Sequence, residues 1–177
     1  GKTTVTLGLA GAAQKAGLRT LVVDMDPQAN ATLGLNPTVV PLTVGDVLAD
    51  ARRGIAAEAI VESGWGPTVH LLGSEASLTH RDTGRTADSA NRLRNSLDGV
   101  AQRYDLILID CPPAIGELTR NALVAATQAV VVTEAGYFAL RGAEQALDAI
   151  TVVRDSLNPH LGTAGIVLNR LRSSTKE

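Results

Sequence analysis

Aromatic residues make up only 2% of this 177-residue chain: one Trp, one Phe and two Tyr. The core must then be built from Ala, Val, Leu and Ile, which suits a parallel sheet buried on both faces by helices, and nucleobase stacking on aromatic rings is excluded as a main binding mode. One cysteine excludes an internal disulfide and agrees with a reducing compartment. Three His, scattered without ligand spacing, imply no zinc site. Charge of one sign is lacking too: 16 basic against 18 acidic residues leave a net −2, so no global field pulls the chain toward nucleic acid or anionic lipid. Any such partner needs a local basic patch, and the tail from Asn169 (NRLRSSTK) is the one candidate. No stretch approaches the roughly 20 apolar residues of a membrane span, and no signal peptide is visible. The expectation is a cytoplasmic protein without a membrane partner.

What is present is enough apolar mass, 45% of the residues, for one domain with its own core. Thr4–Gly17 reads as an Ala- and Leu-rich helix closed by Gly17, feeding a strand over Arg19–Asp24. A short helix is expected over Thr43–Arg53 and a strand over Thr68–Gly73, with Gly64–Pro67 as a turn. Thr86–Arg103 places Ala90, Leu93, Leu97, Val100 and Ala101 at a helical period. Asp105–Asp110 is an apolar run capped by acid, and Cys111-Pro112-Pro113 after it can continue neither ladder nor helix. Helix Glu117–Ala126, strand Ala129–Thr133, helix Ala139–Leu157 and strand Ala164–Asn169 complete the pass. Alternation of this kind predicts an α/β fold, mainly parallel, with helices on both faces.

In such sheets ligands sit beyond the carboxyl ends of the strands. Asp24, Asp26, Asp110 and Asn169 all close predicted strands, so they should converge near Lys2. Gly1-Lys2-Thr3-Thr4 matches the second half of a G-x-x-x-x-G-K-[ST] phosphate loop. In that reading Gly1 and its neighbours cradle phosphate, Lys2 neutralises β/γ-phosphate charge, Thr3 ligates Mg²⁺ and Thr4 bonds the α phosphate; a plain helix start with a Thr cap is the alternative. Asp110, after its apolar run, reads as a Walker B acid in the Mg²⁺ shell. Asp24 and Asp26 are two residues apart and share a face of a regular strand. One is expected at the metal shell and one at the attacking water, with Asp26 assigned to the water and Asp24 to the metal; capping of the next turn is the competing role for Asp24. Asn169 has an amide able to select an adenine edge or to serve as a turn residue. Cys111, with no basic neighbour, reads as a buried structural thiol.

The segments GKTT, VVDMDPQANATLGL from Val22, DLILIDCPPAIGELTRNAL from Asp105, YFALRG from Tyr137 and GIVLNRLR from Gly165 together resemble the ParA/MinD group of deviant Walker ATPases, over nearly the whole chain. Asp26–Thr32 (DPQANAT) and Asp110–Leu123 look more like ParA/Soj-type partition proteins than MinD. The resemblance implies a P-loop ATPase using ATP and Mg²⁺ and dimerising around two ATP molecules. It also implies nonspecific, nucleoid-associated DNA binding and control by a ParB-type partner. By the same carry-over Lys2 is the P-loop lysine, Asp26 positions water, Asp110 is Walker B and Asn169 faces adenine, with Asp26–Thr32 and Pro112–Gly116 as nucleotide-sensing loops. The group's signature lysine would precede Gly1, and its carboxy-terminal segment is not seen, so residues 1–177 are read as one P-loop ATPase domain incomplete at both ends. Arg170, Arg172 and Lys176 are the candidate DNA contacts. The alternatives in the same fold are a MinD-like membrane-positioning ATPase and a switch that dimerises on ATP without hydrolysing it.

Overall fold

The chain's structure, a computed structural model, describes residues 1–81 and 89–170. Lys2–Lys15 form helix α1, and Gly17 at φ +73° takes the left-handed conformation that turns the chain into strand β1, Thr20–Asp24. All five residues of β1 are buried, as the continuous apolar run required. Two short helices follow, α2 over Asn30–Leu35 and α3 over Val44–Asp50. The second starts on a capping box in which Thr43 and Asp46 satisfy each other's end of the first turn.

Helix α4, Ala56–Ala59, leads into an antiparallel hairpin of β2, Val61–Ser63, and β3, Gly66–Leu72. The expected turn over 64–67 is therefore tighter, with Gly66 and Pro67 already in the strand. Helix α5 spans Arg92–Ser96, β4 Leu106–Asp110, α6 Glu117–Ala125, β5 Gln128–Glu134, α7 Tyr137–Ser156 and β6 Gly162–Asn169.

The single long helix expected over 86–103 is not formed. Residues 89–103 hold a 3₁₀ turn at Ser89–Asn91, α5, and a second 3₁₀ turn at Ala101–Arg103, while 86–88 lie outside the described residues. The break has a local cause. Ser96 turns its hydroxyl back onto Leu93 O at 2.8 Å, and Gly99 sits at φ +70°, so the helical ladder stops although Ala90, Leu93, Leu97 and Val100 all stay buried.

Strands pair in the order β2-β3-β1-β4, with β3 and β4 both parallel to β1, and β5 and β6 form a separate parallel pair. The strands are thus mainly parallel, as expected, with the hairpin pairing of β2 to β3 the antiparallel one among the described residues and with β5 and β6 set apart as a second sheet. Alternation along β1 sends Leu21 and Val23 into a core with α3, α4 and α5, and Val22 into a second core with Ala10 of α1 and Ala31 and Leu35 of α2. Helices therefore cover both faces. Helix α1 lies against α2 so closely that a Cβ at Gly34 would stand 2.6 Å from Leu7 Cδ1. A third core joins α7 to β5 through Val131, Ala143, Ile150 and Val153.

Candidate nucleotide site

Helix α1 begins at Lys2 with Gly1 as its N-cap, no side-chain cap and no acidic residue in its first turn. The first N–H groups of a helix have no intrahelical partner, and with the helix dipole they form a ready anion site. The carboxyl ends of β1 and β4 meet this end, because Asp24 and Asp110 are register partners in the parallel ladder and Met25 N donates to Asp110 O at 2.8 Å.

Asp110 is 1% exposed. Its Oδ1 accepts a hydrogen bond from Thr6 Oγ1 at 3.1 Å, Thr3 supplies a further hydroxyl contact, and Oδ2 has no hydrogen-bond partner among the described residues. Burial, reinforced by the charge of Asp26, pushes this carboxyl above the ordinary range, with the Thr3 and Thr6 bonds and the charge of Lys2 pulling the other way. An orphaned buried oxygen beside a threonine hydroxyl and a helix N-terminus suits a hydrated cation carried in with phosphate. Among the described residues no cluster of three or more His, Cys, Asp or Glu could hold a metal alone, and Mg²⁺ sites of one carboxylate plus substrate phosphates need none.

Asp24 is fully buried and committed elsewhere. Its Oδ1 accepts Asp26 N at 3.1 Å, and its Oδ2 accepts both Thr32 N and Thr32 Oγ1 at 2.8 Å. Burial pushes this carboxyl above the ordinary carboxylate range despite those bonds. Three of its acceptor positions are thus used to fold the 26–32 loop, and the expected metal role gives way to an anchoring one, because a carboxylate so saturated has little left for a cation's water shell. Asp26, 7% exposed, begins that loop and accepts Gln28 N at 2.9 Å.

Asn169, at the end of β6, reaches Gly1 O with Nδ2 at 3.3 Å and accepts Arg170 N at 2.8 Å. Arg170 lies on this same face, paired with Glu134 at 3.7 Å. With Gly1, Lys2, Cys111 and Pro112, these residues line one end of a cavity of about 730 Å³ that runs between β5, α7 and the 111–115 loop. Thr4 is exposed on α1; Arg172 and Lys176 lie outside the described residues. Cys111, expected to be buried, is only half-buried at the cavity wall, and desolvation there pushes its thiol up to about 12.

Sequence reading did not single out Thr6, Thr32 or Ser74. Thr6 follows Thr3 by three residues and so shares its helix face, a signal that was available. Ser74, from beyond β3, is 42 residues from Thr32 yet its N–H reaches Thr32 Oγ1 at 2.9 Å, which no local pattern announces.

The geometry agrees with what the chain is similar to. Residues 1–163 match the family described as AAA domain. The sporulation initiation inhibitor protein Soj of Bacillus subtilis is 38% identical over 99% of this chain and 70% of its own length. The chromosome partitioning protein ParA of Myxococcus xanthus is 37% identical over 98% of this chain and 62% of its own. Among solved structures, cobyrinic acid a,c-diamide synthase from Mycobacterium smegmatis with bound ADP and magnesium superposes with a TM-score of 0.84 at 31% identity, over 94% of this chain and 68% of that one. The chain spans between 62 and 70% of the length of these two partition relatives. It belongs to the AAA-domain family, and within it to the group of the Soj and ParA partition proteins.

Proposed function

We propose that this chain is the ATP-hydrolysing core of a DNA-segregation protein, cytoplasmic and nucleoid-associated, which dimerises on MgATP, holds DNA nonspecifically as the dimer, and is reset by a ParB-type DNA-binding partner. The observation that carries the nucleotide part is the unpartnered Asp110 Oδ2 set among Thr3, Thr6 and the α1 N-terminus. The partition part rests on the Soj and ParA similarity, whose identities of 38% and 37% exceed the 31% to the diamide synthase.

In this reading the α1 N–H groups and Lys2 hold the β and γ phosphates, Thr3 and Asp110 hold Mg²⁺, and Asn169 faces the base. Mg²⁺ so bound neutralises charge on the phosphate oxygens. Asp26, fixed by Asp24 at its own N–H, orients the attacking water, and Lys2 stabilises charge gathering on the transferred group. Water exclusion falls to the 26–32 and 112–116 loops. No helix among the described residues is long and apolar enough to cross a membrane. The test is MgATP-dependent dimerisation and hydrolysis by the intact protein, with and without DNA and the ParB-type partner. Dimers and partner-stimulated turnover are expected. ATP-dependent dimers without any turnover would favour the nonhydrolysing switch, and ATP-dependent vesicle binding the membrane-positioning reading.

A further inference from the structure

We propose that Ser74 is a positioning residue for hydrolysis, holding the Asp26 loop at both ends from the segment that follows β3. The inference rests on the reading of Asp26 as the residue that orients water.

Ser74 follows β3 and is 6% exposed. Its hydroxyl donates to Asp26 O at 2.7 Å, and its backbone N–H donates to Thr32 Oγ1 at 2.9 Å. The Thr32 hydroxyl in turn donates to Asp24 Oδ2 at 2.8 Å. One residue thus grips the first and the last member of the 26–32 loop, and the grip continues into the carboxylate that fixes the Asp26 N–H.

The loop needs holding. Ala29, in its middle, sits at φ +54°, a conformation that a residue with a Cβ adopts only when its surroundings enforce it. The hydrogen bond that closes this turn, Ala29 N to Asp26 O at 2.9 Å, ends on the same carbonyl that Ser74 Oγ engages. The anchor is itself fixed: Gly73 O accepts Val44 N at 2.7 Å, and a Cβ at Gly73 would stand 2.9 Å from Val40 Cγ1. A shift in β3 therefore passes directly to the backbone of Asp26, and Ser74 acts through Asp26 without touching nucleotide.

The experiment compares Ser74→Ala, Ser74→Thr and Asp26→Ala with the wild type in the intact protein, measuring MgATP affinity and single-turnover hydrolysis. Ser74→Ala should slow the single-turnover step about tenfold while leaving MgATP affinity within about twofold, a split that general destabilisation would not produce. Ser74→Thr, which keeps the hydroxyl, should restore the rate. In the Asp26→Ala background, Ser74→Ala should cost nothing further, because both substitutions remove the same device. Amide exchange at Ala29 supplies a readout independent of catalysis and of whether Thr fits the site; it should quicken in Ser74→Ala. An unchanged rate in Ser74→Ala, or rate and affinity falling together, overturns the proposal. A normal rate in Asp26→Ala overturns the reading of Asp26 instead, and with it Ser74's part in hydrolysis, even if exchange at Ala29 has quickened.

Discussion

Replacing Asp110 by Asn should stabilise the empty protein and make it indifferent to MgATP. The side chain is 1% exposed, with one oxygen bonded by Thr6 and the other unpartnered. Leaving a buried polar atom unsatisfied costs about 1–3 kcal/mol. Asn keeps the shape and an acceptor for Thr6; its amide is still a buried polar group at the unpartnered position, but an uncharged one, so what it relieves is the extra cost of burying charge, taken here as of the same order. A domain of this size shifts its Tm by about 2–4 °C per kcal/mol, so the gain without nucleotide or Mg²⁺ is on the order of 2–12 °C. The pH dependence carries the sign. Because the folded pKa lies above the unfolded value of 3.8, the native state binds more protons within that window, and the wild type loses stability as pH rises through it. The advantage of Asp110→Asn should thus be smaller near pH 4 than at pH 7. With MgATP at a thousand times its Kd the order reverses, since the wild type gains about 4.1 kcal/mol by linkage and the variant gains little. Differential scanning fluorimetry at both pH values, with and without MgATP, reads all of this. A variant that is less stable when empty, or that keeps the full MgATP shift, refutes the account of Asp110.

Lys2→Ala should abolish tight MgATP binding and ATP-dependent dimers in size-exclusion runs, because β/γ-phosphate charge is left uncompensated in a dry site; retained dimers would remove Lys2 from that role. Arg170→Glu should weaken ATP-dependent DNA retention and lower the log–log salt slope by about one unit; since Arg170 pairs with Glu134 on the nucleotide face, an unchanged slope would move the DNA surface off this strand end. Gly64→Ala should cost about 1–3 kcal/mol by overpacking, because a Cβ there would meet the Asn36 carbonyl while the Gly64 N–H is held by Leu35 O at 2.7 Å. Urea unfolding followed by the fluorescence of Trp65, the one Trp in the chain, measures it; an unchanged midpoint would show that the hairpin tip yields.

The positions of the strand ends were legible because apolar runs stop sharply at Asp24, Asp110 and Asn169, although β1 is buried throughout while β6 leaves Ile166, Val167 and Leu168 exposed. The proposed phosphate-loop residues could be picked out because that chemistry demands Lys and Thr in fixed order. Helix α5 was misread because the apolar period survives in the packing of Leu93, Leu97 and Val100 even where Ser96 and Gly99 end the helix. Strand β2 is three residues long and one-sided, too short for alternation to register. For Asp24 the sequence left a metal role and a capping role open: two acids at one strand end look alike in sequence, and only the two bonds from Thr32 set Asp24 apart from Asp26, which accepts Gln28 N alone among the described residues.

The central claim, that Asp26 orients water while other residues hold the nucleotide, is tested most directly by single-turnover hydrolysis in Asp26→Ala of the intact protein, run beside MgATP titration and dimer sizing. The account predicts ATP-bound dimers that form with near-normal affinity and turn over at least a hundredfold more slowly, in line with loss of about 2.7 kcal/mol of transition-state stabilisation. Collapse of MgATP affinity with normal turnover per bound ATP would contradict it and make Asp26 a metal or structural residue.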